Sequence, residues 1–213
     1  LLRHGGQQGS PLVPPAYGAV LNPILKSLDE NLGDDGLVRA IQDDVLIMGK
    51  RDKVLDQING FVEALKEIGG ELAVGEGKNS VYSPSGPLED GSFGDRLQQT
   101  KIVDDEGNDS YGFELCGAAI GQRGFIQKYL QAKVKSITDQ ILEHSKDMST
   151  QDAQVAHVLN RLSWQAKPDY LIATHLRSDT EAIIGQLDEA TRRAFSMALA
   201  LDPERPEFGR EGL

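Results

Sequence analysis

Two adjacent carboxylates, Asp43 and Asp44, stand between two short apolar runs of this 213-residue chain. The runs, Leu37–Ile41 and Val45–Met48, are rich in strand-forming residues, which predicts a β-hairpin with the two aspartates at its turn. Adjacent carboxylates repel each other unless a cation lies between them, and their oxygens suit a hard cation such as Mg²⁺. Aspartate is also common in ordinary turns, so the dipeptide alone is compatible with a metal site or with a plain turn.

Amphipathic helices are expected on both sides of this hairpin. Apolar residues recur at helical spacing within 16–32 and stop at Gly33, and a second set within 52–68 stops at Gly69 and Gly70. A loop rich in Gly and Pro, residues 5–14, precedes the first helix. After the second helix we expect short strands at 72–74 and 80–82, and then a long surface loop at 83–99.

The second half of the chain begins with another predicted hairpin and then becomes helical. The hairpin pairs Lys101–Val103 with Tyr111–Cys116 across an acidic turn. Helices are expected at 125–144, at 150–166, at 170–175, and from a capping box that begins at Ser178. The predicted fold class is therefore α+β. Antiparallel hairpins pack on helices in residues 1–122, an all-helical unit follows at 123–202, and a disordered tail occupies 203–213.

Composition excludes several kinds of protein. The 22 basic and 33 acidic residues give a net charge of −11, so bulk charge cannot attract nucleic acid. A duplex could be bound only by a locally basic face, for example one formed by Lys128, Lys133 and Lys135. The single cysteine excludes a disulfide framework and a Cys-rich zinc site. No apolar run approaches the roughly 20 residues that span a bilayer, so no membrane role is expected.

A loop motif, the Asp-Asp hairpin and a lysine follow one another along the chain. The loop Gln7-Gln8-Gly9-Ser10-Pro11-Leu12 leads into a helix, Ile41-Gln42-Asp43-Asp44 forms the hairpin motif, and Lys78 lies in a Gly-rich turn after the next helix. This order resembles the palm of reverse transcriptases, the RNA-directed DNA polymerases of non-LTR retroelements and group II introns. Residues 112–121 are similar to the family's primer-contacting hairpin, and the helical part resembles its thumb. The resemblance extends over about residues 5–200.

The resemblance implies a magnesium-dependent nucleotidyltransferase that uses an RNA template, a DNA primer and deoxynucleoside triphosphates inside the cell, in the nucleus or the cytoplasm. Asp43 and Asp44 would hold Mg²⁺, which lowers the pKa of the primer hydroxyl and neutralises charge on the pyrophosphate. Lys78 would stabilise the leaving phosphates, or else it is a solvated turn lysine. The implied contacts to nucleotide and template are Gln8, Gly9 and Ser10, and the implied contacts to the primer are Cys116, Gly117 and Gly121.

Two features depart from the family pattern. Ile41 stands where the family usually has an aromatic residue, and the six residues before Gln7 cannot contain the family's other metal-binding aspartate and its basic fingers. We therefore expect the C-terminal palm and thumb part of a polymerase, inactive as an isolated fragment. The alternatives are a catalytically dead reverse-transcriptase remnant that acts as an interaction module, and an unrelated acidic α+β scaffold.

Overall fold

The computed structural model describes residues 13–41, 44–73, 78–89, 97–149, 154, 155, 158, 162 and 166–198. Within them, α-helices accompany two small antiparallel sheets, one of two strands and one of three. The elements in chain order are α1 (Val13–Leu32), β1 (Gly36–Ile41), β2 (Asp44–Gly49), α2 (Arg51–Glu67), β3 (Lys101–Val103), β4 (Asp109–Leu115), β5 (Ala118–Gly121), α3 (Arg123–Ser149), α4 (Ala166–Thr174) and α5 (Arg177–Ala198). This mixture of helices and antiparallel sheets is the predicted α+β class. None of the described helices has the length and apolar character needed to cross a membrane.

The chain divides into two compact units, and the division differs from the predicted one after residue 122. The first unit takes the described residues within 1–79 and 89–98, and the second takes those within 80–88 and from 99 onward. The sheet β3–β4–β5 therefore belongs with the helices that follow it. One link between them is the Ser110 Oγ, which accepts a hydrogen bond from the backbone N–H of Phe125 at 2.8 Å. Both residues are buried.

The first unit packs the β1–β2 hairpin on α1 and α2, as predicted. Its core contains Leu21, Leu28 and Leu32 from α1, Val38 from β1, and Phe61 and Leu65 from α2, with Val45 and Ile47 of β2 packed against it. The helix ends follow the predicted glycines. Gly33 has φ +56° directly after α1, and Gly69 has φ +75° after α2, where such left-handed conformations are accessible to glycine at low cost.

Several expected elements after α2 differ from the structure or lie outside it. The strands expected at 72–74 and 80–82 are wrong for the described residues, which have no regular structure at 72, 73, 81 and 82 and a single bridge at Ser80. Leu72 instead packs on the apolar core of the first unit, which buries it without strand pairing. The expected helix at 150–166 falls mostly outside the described residues, and the tail at 203–213 falls wholly outside them.

The second unit covers its sheet with helices. The predicted pairing of β3 with β4 is confirmed, with Lys101 opposite Tyr111, and β4 then pairs with β5. A core of Leu130 and Val134 from α3, Leu171 from α4, and Ile183 and Leu187 from α5 joins the three helices. Three of the predicted helices are present, and their bounds differ from the expected ones. For example, α5 begins at Arg177, so Ser178 lies in its first turn and is not its N-cap.

Candidate functional site

The β1–β2 hairpin presents Asp44 at its tip. The strands pair antiparallel over six positions, from Gly36 opposite Gly49 to Ile41 opposite Asp44. Asp44 is therefore the first residue of β2, directly after a two-residue connection, and it is exposed. This confirms the prediction that Asp44 lies beside the turn. Asp43, the other predicted metal ligand, lies outside the described residues.

Asp29 of α1 forms a hydrogen bond with the outer edge of β1, the first strand of the hairpin. In a hairpin with a two-residue turn, the residue pair next to the turn is hydrogen-bonded, and every second pair along the strands is not. Val38 is three positions from the first pair, Ile41 and Asp44, so its N–H points away from β2. That N–H donates to Asp29 Oδ1 at 2.7 Å, and Arg39 Nη1 lies 3.9 Å from Asp29 Oδ2. Asp29 was not among the predicted residues. No local sequence signal marks it, because the next two residues, Glu30 and Asn31, are polar as well.

A second ion-paired carboxylate lies where the hairpin strands meet the helices. Lys50 Nζ and Lys53 Nζ each lie 2.7 Å from a carboxylate oxygen of Asp35. The hydrogen bond from Lys50, with that from Lys53 and the two positive charges, lowers the pKa of Asp35 to about 2. Both lysines and Arg39 thus have carboxylate partners within the unit, so the cations that flank the hairpin serve its structure.

Lys78 belongs to the same compact unit as Asp44. It is exposed in a turn. The next residue stabilises the turn, because the Asn79 side-chain amide donates to the carbonyl of Ala73 and the Asn79 carbonyl accepts from the N–H of Gln98. The predicted nucleotide-binding residues Gln8, Gly9 and Ser10 lie outside the described residues.

In the second unit, the turn between β4 and β5 contains two of the predicted primer contacts. Cys116 has φ +50° and Gly117 has φ +83°, and positive φ at both central residues is what a type I′ hairpin turn requires. Helices fix the turn through its carbonyl groups. Tyr129 Oη of α3 donates to the Gly117 carbonyl at 2.8 Å, and Tyr170 Oη of α4 donates to the Cys116 carbonyl.

Gly121, the third predicted primer contact, is required by close packing of backbone. A Cβ atom at this position would lie 2.5 Å from both the Tyr111 carbonyl oxygen and the Gly112 Cα. Such distances exclude any side chain unless the strands shift. The structure therefore provides a folding reason for a glycine here, whether or not this hairpin contacts a primer.

The lysines that could form a basic face on α3 are paired with carboxylates. Lys128 pairs with Asp105, Lys133 Nζ lies 3.4 Å from Glu114 Oε1, and Lys135 Nζ lies 2.6 Å from Asp139 Oδ2. The hydrogen bond from Lys128 lowers the pKa of Asp105. These three lysines therefore do not form the unneutralised basic face that binding to a duplex backbone requires.

The capacity for metal binding is limited within the described residues. They contain no group of three or more His, Cys, Asp or Glu side chains that could hold a metal ion. Asp44 is exposed and has the oxygen chemistry that Mg²⁺ prefers. Magnesium demands near-octahedral coordination, so even Asp43 and Asp44 together would leave most positions to water or to a phosphate ligand.

Comparisons of the chain with protein-family models, with curated proteins and with solved structures found no match. The resemblance to reverse transcriptases therefore depends only on the motifs of this chain and on the order of its elements.

Proposed function

We propose that this chain is the C-terminal palm and thumb part of an RNA-directed DNA polymerase. The observation that carries the proposal is the β1–β2 hairpin, which packs on α1 and α2 and exposes Asp44 as the first residue of its second strand. The hairpin next to α3 and the helices after it follow in the order that the resemblance implies.

In this proposal Asp43 and Asp44 would hold Mg²⁺ together with phosphate oxygens of the incoming nucleotide and a carboxylate from elsewhere in the full polymerase domain. The metal would lower the pKa of the primer 3′-hydroxyl and neutralise charge on the leaving pyrophosphate. The contribution of this chain is to hold the carboxylates rigidly, since β1 is bonded to α1 through Asp29. Lys78 would stabilise the leaving phosphates by its charge.

The proposed nucleic-acid contacts divide between the N-terminal loop and the β4–β5 hairpin. Gln8, Gly9 and Ser10 would contact the template and the incoming nucleotide. Residues of the β4–β5 hairpin would contact the primer. Because the carbonyls of Cys116 and Gly117 already accept hydrogen bonds from tyrosines, the primer would be contacted by other atoms of this hairpin.

A second candidate function is a catalytically dead remnant of such a polymerase that acts as an interaction module. Two observations favour it. Lys128, Lys133 and Lys135 of α3 are ion-paired. Ile41, which stands in place of the family's aromatic residue, is 56% exposed and has no ring to support a primer end.

Primer extension on an RNA template with Mg²⁺, by the natural gene product that contains this chain, tests the proposal. Asp44→Asn is expected to reduce incorporation to background, because a metal ligand is lost. Asp56→Asn removes an exposed carboxylate of α2 and is the matched control, with activity equal to that of the wild type. A natural product that folds and binds a primed template without incorporating nucleotides would favour the remnant. Full activity of Asp44→Asn would refute the assignment of the hairpin.

A further inference from the structure

The outer edge of β5 is bonded to a histidine that follows α4. Leu115 and Ala118 form the hydrogen-bonded pair next to the turn. Ala119 lies one position further along, opposite Glu114, so its N–H points away from β4. That N–H donates to His175 Nε2 at 3.0 Å. Ala119 is only 7% exposed, so water does not replace this acceptor. A buried edge donor thus depends on one imidazole nitrogen.

The other ring nitrogen defines the protonation state of His175. Nδ1 lies 2.8 Å from the carbonyl oxygen of Leu171 and 3.1 Å from Thr174 Oγ1. A carbonyl oxygen can only accept, so Nδ1 carries a proton. The Thr174 hydroxyl donates its own proton to the carbonyl of Tyr170 at 2.7 Å, so it too can accept from Nδ1. The bonding pattern therefore requires the neutral tautomer with a lone pair on Nε2.

We propose that His175 is a pH-sensitive latch between β5 and the end of α4. Neutral His175 accepts the Ala119 N–H and holds the strand edge. Protonation places a proton on Nε2, which then faces the Ala119 N–H, so the bond is lost and a buried donor has no acceptor. The proposal depends on the second unit alone and is independent of the polymerase assignment.

The ring of His175 lies beside an aromatic side chain of α3 whose charged neighbours form a pair. Tyr129 of α3 stacks near the imidazole with a centroid distance of 6.3 Å. Lys133 Nζ lies 5.1 Å from the centre of the Tyr129 ring and pairs with Glu114 of β4, so these two charges offset each other. Along the chain, the nearest titratable or charged side chains are Tyr170 on α4 before the histidine and Arg177 at the start of α5 after it.

The turn of the hairpin is held by two tyrosine hydroxyls, and tyrosine ordinarily titrates at about pH 10. Tyr129 and Tyr170 hold the turn through their hydroxyls. Burial, with the nearby charge of Glu114, raises the pKa of Tyr129 above its ordinary value. Protonation of His175 should therefore release the edge of β5 locally while the turn stays in place.

Amide hydrogen exchange of the 213-residue chain at pH 8 and pH 5 tests the latch, because this interval brackets the ordinary titration range of histidine, about pH 6.5. After correction for intrinsic exchange rates, the Ala119 amide of the wild type should lose protection about tenfold at pH 5, the order expected for one hydrogen bond to a buried donor. The Ile120 amide should not change, since it lies in the bonded pair with Phe113.

Two variants separate His175 from a general effect of acid. His175→Gln supplies a carbonyl acceptor that does not titrate, so Ala119 should keep its protection at both pH values. His144→Gln is the matched control, because the exposed His144 also directs Nδ1 at the carbonyl four residues earlier, at 2.9 Å, and this variant should respond as the wild type does.

Three results would overturn the proposal: a wild-type Ala119 amide that is insensitive to pH, the same loss of protection in His175→Gln, or ring ¹⁵N shifts that show the Nε2–H tautomer at pH 8. If His175→Gln does not fold, the ring ¹⁵N shifts and the Ala119 exchange of the wild type decide the question without a variant.

Discussion

Replacing Asp29 by alanine should destabilise the hairpin that carries Asp44. The substitution removes Asp29 Oδ1, which accepts a hydrogen bond from the Val38 N–H at 2.7 Å. Val38 is only 5% exposed. Water cannot readily replace that acceptor, so the donor is left unsatisfied, at a cost of about 1–3 kcal/mol. The ion pair with Arg39 adds less than about 1 kcal/mol, because the atoms are 3.9 Å apart and both side chains are substantially exposed.

The net effect of Asp29→Ala should be a loss of about 1–3 kcal/mol in the free energy of unfolding of the first unit. The higher helix propensity of alanine, about 0.5 kcal/mol over aspartate, offsets a small part of this loss. Asp29→Asn retains an oxygen acceptor at Oδ1 and loses only the charge, so it should cost about 1 kcal/mol or less. The difference between the two variants isolates the hydrogen bond.

The measurement is a urea titration followed by amide signals of β1 and β2, because the chain has two units and a global probe would mix their transitions. Glu30→Ala is the control, since Glu30 is 68% exposed and forms only a 3.8 Å surface pair with Lys26. Equal stability of Asp29→Ala and the wild type would refute the reasoning. Equal losses in Asp29→Ala and Asp29→Asn would assign the effect to charge instead of the hydrogen bond.

Four further outcomes are expected. Lys50 and Lys53 depress the pKa of Asp35 from 3.8 to about 2. On acidification, this carboxylate therefore takes up its proton at a higher pH in the unfolded chain than in the folded protein. The resulting stabilisation is present above about pH 4 and disappears as the pH falls through about 2. In Asp35→Asn this part of the pH dependence of urea unfolding should be absent. Leu130→Ala truncates a side chain that is 0% exposed in the core of the second unit, so urea unfolding should show a loss of about 2–5 kcal/mol. Millimolar magnesium should barely change the Tm of the isolated chain, because two carboxylates alone bind it weakly, and Asp43→Asn should be as stable as the wild type or slightly more so. The isolated chain should incorporate no nucleotide on a primed RNA template, since a further metal-binding carboxylate is needed.

Each of these four predictions would be contradicted by a specific result. Indistinguishable acid profiles for the wild type and Asp35→Asn would show that the two lysines do not stabilise the fold through this carboxylate. A loss below about 1 kcal/mol for Leu130→Ala would place that side chain outside the core. A rise of many degrees in Tm with magnesium, absent in Asp43→Asn, would mean that a complete metal site exists within these 213 residues. Robust nucleotide incorporation by the isolated chain would mean that the motif boundaries are misplaced.

Local patterns in the sequence predicted the elements that position the candidate site. Apolar periodicity and the glycines after each helix defined α1 and α2, because a helix and its end depend on residues within a few positions of each other. The short apolar runs around Asp44 likewise predicted β1 and β2. The predicted strands left three residues, 42–44, between them, and the structure shortens this connection to two by adding Asp44 to β2.

Contacts between distant segments were decided only by the tertiary structure. The sequence grouped the hairpin at 101–121 with the first part of the chain, whereas packing against Phe125 and the helices after it joins this hairpin to the second unit. The bond between Ala119 and His175 links residues 56 positions apart. No local propensity encodes such a bond, because it depends on which strand edge remains unpaired after folding and on which side chain reaches it.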